Sequence, residues 1–360
     1  MSRGYIILVV AAGGRVGRGG RPSLESLRPA ITKEGGMVLI SPPILRIPML
    51  WLLQSLLLTP LIVAAYCRSE DLEVESIVAA SVPYGVVALF LNKLLRTSLI
   101  VDYGDPDFAR ERGVSLRVLK VIEAVVLSSK RVTAVTCIDP NIGEYMRRYH
   151  VTSTFLPPGG FWKGSVSPPR AQDNDHPKRV VYAGHIAKPP AYRLDLLIEA
   201  APSILKEVPD CEIVFVGAGE FLPGLAQRAR EMKVEDRVRF LGPVAYVDAK
   251  REIADSAVAV QLLNDMCLGT KVIDYFAAGK AVVSCGRFYA SYHEFLADGE
   301  NCLLVGPDPM KLADAIVRLL GDDELRKKLG EKALETVRNY DYDSQADTML
   351  GLMAKGQAKG

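Results

Sequence analysis

The residues whose types and spacing most suggest chemistry lie in the stretch MCLGTKVIDYFAAGKAVVSC, residues 266–285. Gly269 and Thr270 stand where a helical pattern opens. Amides at a helix start lack intrahelical acceptors and lie at the positive end of the dipole, so they can hold a phosphate. Asp274 follows one turn later. A carboxylate there can accept two hydrogen bonds from a ribose diol, although a solvated acid on a helix face has the same spacing. Lys271 adds a cation between them and completes a candidate donor-binding set. Ala277, Ala278 and Gly279 are small enough for close packing and a helix C-cap.

Two further stretches offer ligand-facing loops. In YAGHIAKPPAYRLDLLIEA (182–200) a strand ends at Gly184, and His185 and Lys188 follow on the loop at its carboxyl end. Open α/β sheets bind ligands at that edge, and cations there can neutralise a departing diphosphate. IVFVGAGE (213–220) brings an apolar strand to Gly217 and Gly219. Glycines in that place suit backbone contact with a flat base or a sugar, and equally an ordinary strand-to-helix turn. Near the N-terminus, AAGGRVGRGG (11–20) sets Gly13 and Gly14 after a first apolar strand, a candidate acceptor or phosphate loop. It is not a clean G-x-G-x-x-G, and no strong helix pattern follows it.

These loops need a sheet to carry them. From residue 179 onward, continuous apolar runs at 179–182, 212–216, 238–241, 257–262, 281–284 and 302–305 alternate with helical patterns. That is the signature of a parallel sheet covered on both faces. The first half repeats the theme, with strands at 76–80, 99–101 and 131–136 and helices at 86–95, 115–127 and 141–149. Between the halves, LPPGGFWKGSVSPPR (156–170) and a polar stretch to 178 read as an interdomain connection. The expected organisation is α/β, with Rossmann-like domains at 1–160 and 179–340. A linker at 161–178 joins them, and a tail at 341–360 is free to return to the first domain.

A chain of 360 residues with 49% hydrophobic residues fits two packed domains. The net charge is +2, but residues 1–165 carry 19 basic against 13 acidic residues and the remainder 25 against 29. A mildly basic first half suits an anionic membrane surface or a phosphorylated acceptor, as would plain scatter of surface charge. Nothing in this pattern calls for a nucleic-acid partner. The six cysteines include no C-x-x-C pair and read as reduced thiols of a cytoplasmic protein. The four histidines are far apart, and no metal-ligand cluster is expected. Residues 47–66 form a 20-residue run without charge, flanked by Arg46 and Arg68. Its length approaches that of a spanning helix. Strands on either side of it that share one sheet cannot lie across a bilayer, so a packed helix, with an apolar face touching a membrane peripherally, is the expectation.

The ordered set of VGAGE, VRFLGPV (238–244), DYFAAGKAVV (274–283) and HEFLADGENCLLVGPDPMKLADAI (293–316) resembles the family-4 retaining glycosyltransferases of the GT-B fold. The first half resembles that family's acceptor domain through PYGVVALFLNKLLRTSLIVDYGDP (83–106) and TAVTCIDPNIGEYMRRY (133–149). The resemblance implies two Rossmann-like domains facing a cleft. It also implies a nucleotide-sugar donor held mainly by the C-terminal domain, and a glycan or lipid-linked acceptor. No metal or resident cofactor is implied. Asp274 falls at the second glutamate of the family's E-x7-E motif, and Gly269 and Thr270 at its diphosphate amides. His185 falls where the family has arginine, and Lys188 near its diphosphate lysine. The first glutamate is replaced by Met266, whose thioether cannot take its place. A histidine of the sugar site is missing from LIVDYGDP, which leaves Asp102 and Asp105 as the polar groups to position acceptor or sugar. The expected activity is retaining transfer of a sugar to a hydroxyl, with His185, Lys188 and the 269–270 amides stabilising the leaving charge. Met266 keeps open a non-catalytic glycosyltransferase-like subunit, and a sugar-nucleotide epimerase is a second alternative.

Overall fold

The computed structural model describes residues 4–9, 35–40, 59–80, 82–103, 114–138, 140–156, 178–189, 192–262, 271–286 and 295–357. The chain divides into two compact units, Met1–Gly160 with Tyr342–Gly360, and Phe161–Asp341.

In the first unit, β1 (Gly4–Val9), β2 (Gly35–Ile40), β3 (Val74–Ala79), β4 (Ser98–Tyr103), β5 (Ala134–Cys137) and β6 (Ser153–Phe155) pair in the order β2-β1-β3-β4-β5-β6. The pairs are parallel. Helices α1 (Thr59–Ser69), α2 (Val82–Leu95), α3 (Val114–Leu127) and α4 (Pro140–Met146) provide the crossovers. Strand alternation sorts the side chains between two faces. Ile77, Ala79, Leu99 and Val101 pack with Val87, Ala88 and Leu91 of α2, while Val78 and Ile100 point to the other face. The apolar run at 47–66 enters α1 from residue 59, and its first part lies outside the described residues. Helix α1 buries Ala64 and Cys67 and exposes Leu61, Ile62 and Tyr66. Among the described residues, no helix is long and apolar enough to cross a membrane.

The second unit contains β7 (Arg179–Ala183), α5 (Asp195–Glu207), β8 (Glu212–Val216), α6 (Leu222–Glu231), β9 (Val238–Gly242), α7 (Tyr246–Ala254), β10 (Val258–Leu262), α8 (Lys271–Ala277), β11 (Ala281–Cys285), β12 (Leu303–Val305), α9 (Pro309–Gly321) and α10 (Asp323–Val337). Its parallel sheet runs β12-β11-β10-β7-β8-β9. The strands are buried from end to end in β10 and β11, as continuous apolar runs require. Helix α5 turns Leu197, Ala201 and Ile204 into the core. Helix α9 starts on Pro309, with the Asp308 carboxylate accepting from the amides of Met310 and Lys311. The order of the strands reverses between β10 and β7. Crossovers leave that point in opposite directions, so a crevice opens at the carboxyl ends of these two strands.

The chain ends in α11 (Tyr342–Gln357), which belongs to the first unit. Its Ala346, Met349 and Met353 cover Val78, Ile100 and Leu156, the face of the first sheet that α2 leaves open.

Candidate functional site

At the carboxyl edge of the second sheet, three neighbouring strands end on glycine. The Gly184 amide donates to the Val216 carbonyl at 2.9 Å and the Gly217 amide to the Gly242 carbonyl at 2.9 Å. One step further out, the Ile186 amide donates to the Ala218 carbonyl at 3.0 Å and the Phe221 amide to the Ile186 carbonyl at 3.1 Å. Gly184 and Gly217 have φ of +151° and +131°, values that L side chains rarely adopt. A Cβ on Gly217 would stand 2.0 Å from the Gly184 carbonyl oxygen, and one on Gly219 would stand 2.1 Å from the Ile186 oxygen. These glycines are therefore required by backbone packed against backbone, before any ligand is considered.

Helix α8 lies beside this edge. The Tyr275 hydroxyl accepts from the Ala183 amide at 2.8 Å, fixing the helix on the end of β7. Lys271, its first residue, is 8% exposed. Its Nζ lies 4.2 Å from the ring centroid of Tyr192 and 5.2 Å from that of Tyr182, and its stem passes under Gly184. Among the described residues no carboxylate pairs with it. Burial lowers its pKa to about 8, since desolvation penalises the ammonium. The two tyrosine faces offset part of that penalty.

Asp274, one turn into the helix, is half-buried. The Tyr246 hydroxyl, at the start of α7, donates to its Oδ1 at 2.6 Å. Burial raises the Asp274 pKa, while the Tyr246 hydrogen bond and the Lys250 ammonium act to lower it. The Lys250 Nζ lies 4.8 Å from the centroid of the Tyr246 ring, which is 57% exposed.

The loop cations are arranged differently from Lys271. The His185 ring is mostly exposed, with Nδ1 3.0 Å from the Ala218 carbonyl oxygen and Nε2 3.5 Å from Glu220. Nδ1–H donation to that carbonyl anchors the ring to the loop after β8. Lys188 is exposed, and its backbone amide donates to Glu220 Oε1 at 3.2 Å. The Glu220 backbone amide, then the Lys188 amide, and after them the charges of His185 and Lys188 hold the Glu220 carboxyl below its usual range. In the first unit, Asp102 stands one residue before the end of β4 as a buried carboxylate that accepts from the Thr136 hydroxyl. Asp105, Gly13, Gly14, Gly269 and Thr270 lie outside the described residues. Among the described residues, no group of three or more His, Cys, Asp or Glu is placed to hold a metal. Sequence reasoning did not single out Tyr246, Tyr192, Tyr275 or Glu220. Each acts through a partner on another element, so no local spacing marks it.

Two parallel α/β units, the second with a glycine-ended strand edge under a helix that bears an acid, define a protein of the GT-B fold. Anabaena HepE in complex with UDP has this fold, with a TM-score of 0.77 at 14% identity over 98% of this chain and 100% of that one. So does sucrose-phosphate synthase from Thermosynechococcus elongatus, with a TM-score of 0.73 at 20% identity over 99% and 100%. Residues 177–322 match the family described as glycosyl transferases group 1. The D-inositol 3-phosphate glycosyltransferase of Corynebacterium glutamicum is 31% identical over 186 residues, 49% of this chain and 43% of that protein. The phosphatidyl-myo-inositol mannosyltransferase of Mycobacterium leprae is 28% identical over 176 residues, 48% and 45% respectively. The chain spans under half the length of these curated relatives.

Proposed function

We propose that this protein is a retaining glycosyltransferase. It takes a sugar from a nucleoside-diphosphate donor and transfers it to a hydroxyl of a lipid-linked acceptor. The observation that carries the reading is Asp274. One of its oxygens is held by Tyr246, the other has no partner among the described residues, and it stands on the helix pinned to the end of β7. A carboxylate so fixed can take the ribose diol. The buried Lys271 ammonium, without a counter-carboxylate among the described residues, suits the adjoining diphosphate. In the transfer, the bond from the anomeric carbon to the phosphate oxygen breaks and a bond to the acceptor oxygen forms on the same face. The acceptor's proton passes to the leaving phosphate. The protein's part is to bind the charge that develops on that phosphate, and no resident metal or cofactor enters the reaction. Asp105, His185 and Lys188 retain the roles expected for them, and Asp102 acts through its contact with Thr136.

The lipid acceptor is supported by the names of the phosphatidylinositol-directed relatives and by the surface of the first unit. Helices α1, α2 and α3 expose Leu61, Ile62, Tyr66, Phe90, Val121 and Val125. The charged residues they expose are Arg68, Lys93, Arg117 and Lys120, all basic, while their one acid, Glu123, is buried. Exposed apolar groups on helices whose exposed charges are basic fit an anionic membrane surface.

The test is incubation with radiolabelled UDP-, GDP-, ADP- and dTDP-sugars and a membrane lipid extract. Labelled lipid is expected, with NMR of the product showing the anomeric configuration of the donor retained. Asp274→Asn should weaken binding of the nucleoside diphosphate by about ten- to a hundred-fold, the worth of a hydrogen bond to a charged group. Its melting temperature should stay near that of the wild type. Failure to bind any nucleotide rejects the reading. Nucleotide binding without transfer identifies instead the non-catalytic subunit that Met266 leaves open, and a converted sugar without acceptor identifies an epimerase.

A further inference from the structure

Glu220 puts a negative charge on the loop that the donor reading gives to phosphate. That loop starts at Gly184, under which the Lys271 stem passes, and runs through His185 to Lys188. Glu220 belongs to the neighbouring loop, after β8. Its side chain is 54% exposed, yet it is not left to water. The Lys188 backbone amide donates to Oε1 at 3.2 Å, and Nε2 of His185 stands 3.5 Å from Oε2. The Glu220 amide turns onto the same carboxylate and, with the Lys188 amide, favours its ionised form. Positioning does not account for these contacts. The two loops are already joined through their backbones, by the Ile186 amide to the Ala218 carbonyl at 3.0 Å and the Phe221 amide to the Ile186 carbonyl at 3.1 Å. Gly219 packs so closely on the Ile186 carbonyl that a Cβ would not fit. The carboxylate adds no link that the backbone lacks. It occupies donors instead. Two backbone amides and an imidazole edge converge on one anionic group, and donors so arranged suit a phosphate oxygen equally well.

We propose that Glu220 is an internal competitor for the donor's diphosphate, a carboxylate that holds the Lys188 amide and the His185 ring in the free protein and yields them to phosphate on binding. That role rests on the nucleotide-donor reading above and adds to it a contact that donor binding must break. Glu220 and a diphosphate are like charges, and each weakens the hold of the other on the loop. A ligand must therefore carry enough negative charge to displace the carboxylate, which a nucleoside or a free sugar does not. After transfer the same carboxylate returns to the loop as the nucleoside diphosphate leaves, and so favours release of that product.

The experiment is calorimetric titration of the full chain with UDP and GDP, at low salt and at about 0.5 M salt, for the wild type, Glu220→Gln and Glu220→Ala. Glu220→Gln keeps an acceptor for the Lys188 amide and removes the charge, and Glu220→Ala removes both. Each variant should bind UDP and GDP about three- to ten-fold more tightly than the wild type at low salt. The factor should be the same for the two bases, because the contact is with phosphate, and it should shrink at high salt. In amide NMR the Lys188 resonance should differ between free wild type and free Glu220→Ala and converge in their UDP complexes, where phosphate replaces the carboxylate. A positioning role gives the opposite pattern, with Glu220→Gln near the wild type and Glu220→Ala weaker, and that result overturns the proposal. So does wild-type UDP affinity in both variants, or a Lys188 resonance that stays as different in the complexes as in the free proteins. Wild-type protein that binds neither nucleotide rejects the donor reading itself, and this inference with it, so the two failures are distinguishable.

Discussion

Lys271 and Asp274 sit three residues apart on one short helix and are perturbed by the same cause. Burial pushes the acid up and the base down, each toward its neutral form. A diphosphate beside Lys271 would restore the proton affinity that burial removed. Binding then prefers the ammonium, and the sign follows. Below about pH 8 the lysine is charged in the free protein, and affinity for UDP should be flat down to the ionisation of the ligand's own phosphate near pH 6. Between that pH and the higher pKa of the complex, binding must take up a proton, and affinity should fall by up to about ten-fold per pH unit. The ligand's own phosphate ionises near pH 6, so it does not produce the slope. Titration calorimetry in buffers of different ionisation enthalpy checks both the fall and the proton uptake. Lys271→Met should bind more weakly at pH 7 and lose the slope. The helical setting of Asp274 was legible in the sequence, through the pattern DYFAAGKAVV. The burial of Lys271 and the contact with Tyr246 were not, because both depend on which loops the sheet order brings beside α8.

At the scale of elements, the strands of the second unit were legible. A strand buried on both faces must be apolar throughout, and helical spacing separated each from the next. Three elements of the first unit were not. Strand β6 has three half-buried residues, and β2 is six residues entered through Gly35-Gly36. Helix α11 mixes polar residues and Gly351 with a stripe of only three buried contacts, at Ala346, Met349 and Met353. The sequence leaves the strand-end glycines open between ligand approach and an ordinary turn, and backbone packing accounts for Gly217. Gly217→Ala should cost roughly 2–3 kcal/mol of stability, because both its φ and the Gly184 carbonyl oppose a Cβ. Urea unfolding measures that loss, and UDP affinity near the wild type in the folded fraction separates stability from binding. The exposed α1–α3 surface makes an element-level prediction of its own. The protein should sediment with vesicles containing anionic lipid at low salt and less so at 0.5 M salt, since screening weakens the attraction of its exposed basic side chains. Ile62→Glu should reduce that binding several-fold without changing UDP affinity. Indifference to vesicles at low salt removes the membrane surface from the reading.

For the molecule as a whole, the informative feature is a chain that leaves the first unit, builds the second, and returns to finish the first. Among the described residues, α1, α2 and α3 cover one face of the first unit's sheet, and α11 packs on the other, where it covers Val78, Ile100 and Leu156. Met349 is fully buried there and Met353 nearly so. Burying such a side chain is worth about 1.5–3 kcal/mol, and placing a charge in its stead adds the cost of an unpaired buried ion. Against the roughly 5–15 kcal/mol that holds a domain folded, Met349→Asp is therefore a severe substitution for the first unit. The second unit has its own core, from Val180 to Leu329, with no residue drawn from α11. The expected outcome is selective. Hydrogen-exchange mass spectrometry should show protection lost across β3, β4 and β5 and kept across β7, β8, β10 and β11. Calorimetry should show one transition moved to lower temperature and another left in place. UDP binding, which the reading assigns to the second unit, should survive in the variant, while transfer to lipid should not. Loss of protection throughout the chain would mean that the two units fold as one, and the assignment of stability to separate cores would fail.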